Sequence, residues 1–427
     1  MILRDPVHGL LAFESEESRC VPRLLQTEPL QRLRRIKQLG VTSLAFPGAE
    51  HTRFSHALGA AHVMQRLLGR LRALHEALPY WQRVTSERAE DAISAALLHD
   101  VGHGPLSHLF ESALPGLPHH ERWSTEILLD PSGQVFQALS RADAGRPMRV
   151  AELVNGRGEL PYLARAVSGV LDVDRCDYLL RDAHATGVRY GMYDLDWLLQ
   201  SLRFGEGDAS TAPPLAVDGS KGLVAIEEFL LARFFMFQQV YFHKSTRAAE
   251  RMIRSALALG VSCLADGVAL PDAPRALVVA ARGERPSLGE YLDLDDAVVW
   301  QALHAWERAP HPVLADLCRR VRARSLWKTV ELLDEDAAHP ERALSIARDV
   351  ARHAGLDPEV YVQLDVAEDT PFEEDDAAPV VVSAHGPPRR LSEASFLLGR
   401  LAGETLSKTR LVLAPELRDP VRRALAA

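Results

Sequence analysis

Cysteine is scarce in this chain: Cys20, Cys176, Cys263 and Cys318 are scattered through 427 residues with no CxxC pair. That excludes a disulfide framework and a thiolate-bound structural zinc, and it fits a reduced, cytoplasmic setting. Aromatic residues make up only 6%, while Ala, Leu and Arg dominate, a composition that favours helices. No apolar run reaches membrane-spanning length, and Met1-Ile2-Leu3-Arg4-Asp5-Pro6 lacks the apolar centre of a signal peptide. No membrane partner is expected. Positive charge is in deficit, with 49 Lys and Arg against 58 Asp and Glu and a formal net charge of -9. Nucleic-acid binding driven by net charge is therefore not expected, although a local basic pocket is compatible with that balance. Walker, GxSxG and GxGxxG signatures are missing as well, so any phosphate chemistry has to be metal-based.

What the chain does have is length and apolar content: 47% apolar and 25% charged residues can bury a large core and a smaller lobe. Asp5-Pro6-Val7-His8-Gly9 reads as a turn beside strand material at Leu10, Leu11 and Phe13. Leu30, Leu33, Ile36 and Leu39 predict a helix from about 28 to Gly40. A long amphipathic helix carries His56, Leu58, Val63, Leu67, Leu71 and Leu74, and Ser86-Glu87 opens the next. Further helices are expected at about 121–140, 147–154, 160–185, 194–203 and 223–260. Beyond residue 265 Pro271, Pro274 and Pro286 mark a shift, with helices at about 295–307, 311–321 and 340–354. Strands are expected at Tyr361–Val366 and Val380–Val382, separated by the acidic linker Glu368–Asp376. The expected fold is mainly α, with a helical core over 1–265 and a smaller mixed α/β lobe over 266–427.

The densest chemistry lies in Leu97-Leu98-His99-Asp100-Val101-Gly102-His103-Gly104-Pro105-Leu106-Ser107-His108. An apolar helix runs straight into His99 and Asp100 and breaks at the glycines. Core packing gives no reason for such an ending, and burying the pair unpartnered costs roughly 2–7 kcal/mol. A divalent metal ion supplies the reason, with His56 and Asp174 as further ligands. This mixed N/O set suits Mn, Fe, Mg, Ni or Zn in an expanded, water-bearing shell. His62 competes with His56 on the same helix, but Arg53, three residues before His56, can reach the same face. Asp174 by itself reads as a solvated carboxylate at a helix start. Val167, Val170, Leu171 and Val173 around it favour a buried, partnered one.

A histidine layer follows in His103, His108 and His120, with His119 as an adjacent alternative. Glu111 stands one helical turn from His108, so the pair can orient an imidazole and raise its pKa for acid catalysis. Arg53, Arg175, Arg233 and Lys244 read as a polyphosphate clamp if they converge, and as ordinary exposed bases if they do not. Tyr178 and Asp182 lie four and eight residues after Asp174 on one helix face. Together with Tyr241 they suit a sugar pocket, and equally a satisfied core.

These segments resemble the HD-domain phosphohydrolases, in the deoxynucleoside triphosphate triphosphohydrolase branch that includes the animal enzyme with an added sterile-alpha-motif domain. The resemblance covers residues 1–260 well and the remainder weakly. It rests on Asp5-Pro6-Val7-His8-Gly9, Gln31-Arg32-Leu33-Arg34-Arg35-Ile36-Lys37-Gln38-Leu39-Gly40, Phe46-Pro47-Gly48-Ala49, Arg53-Phe54-Ser55-His56 and His99-Asp100-Val101-Gly102-His103-Gly104-Pro105. It continues through Asp172-Val173-Asp174-Arg175-Cys176-Asp177-Tyr178, Arg181-Asp182 and Tyr241-Phe242-His243-Lys244.

The resemblance implies an HD-domain helical core with His56, His99, Asp100 and Asp174 as metal ligands. It implies His108, with Glu111, His120 and His103, as the catalytic group, and Arg53, Arg175, Arg233 and Lys244 as phosphate-gripping residues. Gln38 and Leu39 match positions beside the sugar 3′-hydroxyl and base. Tyr178, Asp182 and Tyr241 match the sugar pocket, where the two tyrosines would crowd a 2′-hydroxyl. A deoxynucleoside triphosphate substrate, a homo-oligomer between dimer and hexamer, and a nucleotide effector are implied as well. The acidic residue that reads guanine in nucleotide-activated relatives is replaced here by Gln26, although Gln31 and Arg34 remain. Phe242 stands where a polar base contact would follow Tyr241, which leaves base preference open. The chain opens directly at Asp5-Pro6-Val7, so no sterile-alpha-motif domain is expected. Two rival readings are a phosphohydrolase of nucleoside monophosphates or other phosphorylated metabolites, and a non-catalytic nucleotide- or nucleic-acid-binding regulator. The full histidine layer speaks against the second rival, since a sensor has no need of His108 and Glu111 together.

Overall fold

The protein is described here from a computed structural model covering residues 1–207, 211–375, 378–383 and 385–426, so Asp376, the end of the expected acidic linker, lies outside the described residues. The fold is mainly α. Helices Arg53–Arg72, Ser86–Leu98 and Val173–Thr186 form the centre of the first half of the chain. The Ser86–Leu98 helix is buried over nearly its whole length, starts on a Thr85 side-chain cap and delivers His99 at its C-terminal end. The expected strand near Leu10 is present as Gly9–Ala12, paired antiparallel with Ile2–Asp5.

Several expected helices are interrupted, each for a local reason. The 28–40 segment is helical only over Glu28–Arg32 and a 3-10 turn at Leu33–Arg35. Ile36 is extended because its carbonyl accepts from Arg53 N at 2.9 Å, and Gln38 N in turn donates to His51 O at 3.0 Å. The 121–140 segment splits into His120–Leu129 and Gln134–Ser140 around Asp130-Pro131, since proline disfavours helix at the preceding residue. The 160–185 segment splits into Pro161–Val167 and Val173–Thr186, where Asp172 caps the new helix through Arg175 N. The 223–260 segment becomes Leu223–Met236, a π turn at Phe237–Tyr241, and Lys244–Ala265.

The distal part carries helices Asp296–Trp306, Pro312–Arg322 and Pro340–His353 around an antiparallel sheet ordered Lys328–Glu331, Leu406–Leu413, Val362–Asp369. Its outer strand and centre, Lys328–Glu331 and Leu406–Leu413, escaped sequence reading because charged residues interrupt their apolar alternation. Packing does not follow chain order. Phe372, Val381, Leu391 and Leu398 join the core of the first half, and Val380–Val382 pairs parallel with Leu215–Asp218. Conversely, Leu106, Phe110 and Trp123 join the distal core with Met252 and Trp306.

Two features of the Arg53–Arg72 helix make predictions. A Cβ on Gly59 would come within 1.8 Å of Asp177 Oδ1 and 2.4 Å of Arg181 Nη2. Gly59→Ala should therefore destabilise by about 1–3 kcal/mol in chemical denaturation, the range of overpacked cores. His62 packs its ring 5.6 Å from His8. Burial, aided by His8 and Arg66, pushes its pKa down to about 4. A depressed histidine pKa means that the unfolded chain binds the extra proton first, so stability falls as pH drops from the unfolded value near 6.5 towards 4. Melting temperatures across that window should fall less in His62→Gln than in the unsubstituted protein.

Candidate functional site

Three elements converge on one group of donors. His56 comes from the Arg53–Arg72 helix, His99 and Asp100 from the end of the Ser86–Leu98 helix, and Asp174 from the first turn of Val173–Thr186. Ligand atoms of His56, His99 and Asp174 all lie within 4.8 Å of one another. Asp174 Oδ1 is 3.0 Å from His56 Nε2 and 3.5 Å from His99 Nε2, and the two Nε2 atoms are 3.3 Å apart. Asp100 stands at the edge, with Oδ1 3.4 Å from His99 Nε2 and Oδ2 3.9 Å from His56 Nε2.

The far nitrogens of both rings are already taken: His56 Nδ1 meets Asp177 Oδ2 at 2.8 Å, and His99 Nδ1 meets the Ala96 carbonyl at 2.9 Å. With those N–H bonds made by neutral rings, both Nε2 lone pairs face each other and two carboxylates. Such a donor set fits a divalent cation, and the outer hydrogen bonds fix the tautomers that ligation requires. Burial opposes a charged His56, but its hydrogen bonds to Asp174 and Asp177 outweigh that and raise it to about 10.

His103, His108, Glu111 and His120 form a second group whose ligand-type atoms also lie within 4.8 Å. His103 and His120 stack at 3.7 Å between ring centroids, and His108 meets both edge-on at 5.0 and 5.3 Å. Glu111 Oε1 accepts from His120 Nδ1 at 2.8 Å, and Oε2 is 3.8 Å from His108 Nδ1. Burial opposes the Glu111 charge, yet the nearby His108 and the hydrogen-bonded His120 hold it well below the usual carboxylate range. His119 approaches the same carboxylate at 3.5 Å but is 81% exposed, so His120 is the engaged member of that pair.

The intervening loop is tightly specified. Leu106 and Ser107 have φ of 56° and 58°, a strained region for residues with a Cβ. They are pinned by Leu106 N donating to Asp296 Oδ1 at 2.7 Å, and by Ser107 Oγ bonded to the Lys37 and Gln38 carbonyls. Gly102 allows the His120 helix to dock, since a Cβ there would lie 2.3 Å from His120 O.

The cationic residues are placed individually. Arg53 pairs with Asp100 and donates to Ser107 Oγ at 3.0 Å. Arg175 pairs with Asp172. Arg233 pairs with Asp369 and two backbone carbonyls. Lys244 is exposed at the start of its helix. Tyr178 and Tyr241 rings sit 6.4 Å apart, edge to face. Asp182 is bridged by Tyr241 Oη and His51 Nε2, both at 2.8 Å. Gln38 Oε1 is buried without a partner among the described residues, and Leu39 packs against the first core.

Sequence reasoning missed His51, Asp177 and His8. His8 Nε2 meets Asp177 Oδ1 at 2.6 Å. His8 and Asp177 were visible only as parts of larger motifs, and His51 had no periodic or spacing signal.

Residues 53–182 match the HD domain, and residues 193–268 match the HD associated region. The chain is 32% identical over 426 residues to the uncharacterized Bacillus subtilis protein YwfO, covering 97% of this chain and 92% of that one. It is 27% identical over 382 residues to the deoxynucleoside triphosphate triphosphohydrolase SAMHD1 homolog of Dictyostelium discoideum, covering 85% of this chain and 66% of the relative. A solved phosphohydrolase from Bacteroides thetaiotaomicron superposes with a TM-score of 0.79 at 28% identity, over 97% of this chain and 99% of that one. With the His-Asp donor set standing inside the matched segment, the chain belongs to the HD-domain phosphohydrolase family.

Proposed function

We propose that this protein hydrolyses deoxynucleoside triphosphates to deoxynucleoside and inorganic triphosphate. The observation that carries the reading is the row Asp174, Tyr178, Asp182 along one face of the Val173–Thr186 helix. At 1.5 Å per residue it runs about 12 Å, from the cation group to the pocket formed with Tyr241 and His51. A nucleotide laid along that row has its phosphates at the cation and its sugar at the tyrosines.

A divalent cation held by His56, His99, Asp100 and Asp174 supplies Lewis acidity at the phosphate and a template for the incoming water. Water adds at the α-phosphorus as the bond to the 5′-oxygen breaks, His108 delivers a proton to the departing oxygen, and the proton shed by the water passes to solvent. His108 is suited to this because it is 72% exposed and faces Glu111, which stays ionised to orient it. His120 and His103 complete the wall behind it. Arg53 neutralises Asp100, while Arg175, Arg233 and Lys244 serve the outer phosphates, the first two after exchanging their protein partners. Gln38 offers its unpaired Oε1 to the sugar 3′-hydroxyl beside Leu39. Tyr178 and Tyr241, both buried enough for their hydroxyls to stay protonated, leave no room for a 2′-hydroxyl.

The reading takes residues 1–265 as the catalytic unit and 266–427 as a lobe that supports it through Asp296. It includes a homo-oligomer of dimer to hexamer and a cytoplasmic setting, and leaves the need for a nucleotide effector, with Gln26 at the guanine-reading position, to incubation with mixed nucleotides.

Chromatography after incubation with each deoxynucleoside triphosphate and Mn or Mg, singly and mixed, should show deoxynucleoside and triphosphate in equal amounts. Cleavage of monophosphates at equal or greater efficiency would replace this reading with that of a general phosphomonoesterase. His99→Ala and Asp100→Ala should each lower kcat roughly a thousandfold or more, since a lost cation removes several kcal/mol of transition-state stabilisation. Metal content by elemental analysis should fall in parallel; full turnover in a reconstituted variant sinks the ligand assignment.

A further inference from the structure

The C-terminal lobe sends a segment back onto the catalytic half at Arg233. Strand Val362–Asp369 ends there, and residues 370–375 continue without regular structure. Arg233 Nη2 donates to Asp369 Oδ1 at 3.2 Å, and Nη1 donates to the Thr370 carbonyl at 3.3 Å and to the Pro371 carbonyl. Three oxygens of one short segment thus face one guanidinium, as the oxygens of a phosphate would. The fit is incomplete on both sides. Arg233 Nε and Asp369 Oδ2 are each buried without a partner among the described residues. Burial pushes the Asp369 carboxyl upward, and the nearby charges of Arg233 and Arg175 pull it back. The same two cations act on the Tyr178 hydroxyl, so Asp369 lies among the groups that the proposed reading gives to the substrate.

We propose that Asp369 is a built-in stand-in for a substrate phosphate, and that it sets the affinity of the site by competing for Arg233. This rests on the triphosphohydrolase reading for the identity of the substrate, but not for the competition itself. The segment is anchored independently of the carboxylate. Phe372 is buried in the first core, its carbonyl accepts from Gly403 N at 3.0 Å, and Thr370 Oγ1 meets Thr405 Oγ1 at 3.2 Å. The Asp369 side chain can therefore yield to an incoming polyphosphate while Phe372 stays seated. A polyanion binds only the fraction of molecules in which Arg233 is released, so its apparent dissociation constant is raised by that fraction.

The test is calorimetric binding of inorganic triphosphate to the Mn-loaded full chain and to Asp369→Asn, with melting temperature as the folding control. Asp369→Asn, nearly isosteric, should bind roughly tenfold more tightly, and Asp369→Ala should do so if the amide disturbs the turn. The gain should vanish when Arg233→Ala is added. Equal or weaker binding in both Asp369 variants, or a gain that survives Arg233→Ala, overturns the proposal. KM for deoxynucleoside triphosphates should fall with little change in kcat. A binding gain in a protein that cleaves no nucleotide leaves the competition standing and removes the triphosphohydrolase reading. Cleavage with unaltered binding and KM does the reverse.

Discussion

Asp177 is the carboxylate on which the site depends. Wholly buried, it accepts from His56 Nδ1, from His8 Nε2 and from two nitrogens of Arg181, which also pairs with Asp5. Burial works against its charge, but Arg181, then His56 and His8, hold it well below the usual carboxylate range. An isolated buried carboxylate would be costly, and removing one partner of such a set leaves a charge uncompensated. The set ties the first turn of the chain, the Arg53–Arg72 helix and the Val173–Thr186 helix to a single point. The orientation of the His56 ring is therefore fixed by tertiary packing before any cation arrives. Gly59 is part of the same device, because only its missing side chain lets the two helices approach closely enough for Asp177 to reach His56.

A second dependency ties residues 291–296 to the loop after Asp100. Asp296, with its carboxyl raised by burial, accepts from Leu106 N and from Lys37 N. Arg32 donates to the carbonyls of Leu294 and His103, and Tyr291 Oη donates to the Gly102 carbonyl at 2.8 Å. Each of these contacts fixes backbone in or beside the loop that joins the cation group to the histidine layer. Asp296 and Tyr291 thus help hold the loop around Leu106 in place, although neither belongs to either donor group.

The sequence was most informative where chemistry conflicted with packing. A His-Asp pair at the end of an apolar helix is unusual for packing; His99 joins His56 and Asp174 in one donor group, while Asp100 stands at its edge, paired with Arg53. His56 over His62 was decided by Arg53, and the structure separates them, with His62 turned to His8. Helix existence was legible from apolar period, but helix breaks were not. Ile36 keeps its apolar spacing while its backbone turns outward to bond Arg53, an interaction between segments that no local pattern records. The partners of the arginines were illegible for the same reason: Asp369 follows Arg233 by more than a hundred positions, and its acidic surroundings read as a solvated linker.

The two histidine groups share one hinge in Asp100, and its environment divides their labour. Asp100 Oδ1 lies 3.4 Å from both His99 Nε2 and His103 Nε2, while Oδ2 is held by Arg53. A proton on His103 would gain from Asp100 but lose more from burial and from the Arg53 charge, so its pKa is driven well down. His103 is therefore a neutral, packed ring, stacked on His120 with its Nε2 beside Asp100. His120 is committed to Glu111 and shielded by the same stack. His108 alone among the three is largely open to solvent while still facing an ionised carboxylate. In the proposed hydrolysis His108 is the acid because it is the imidazole that the stack leaves uncovered.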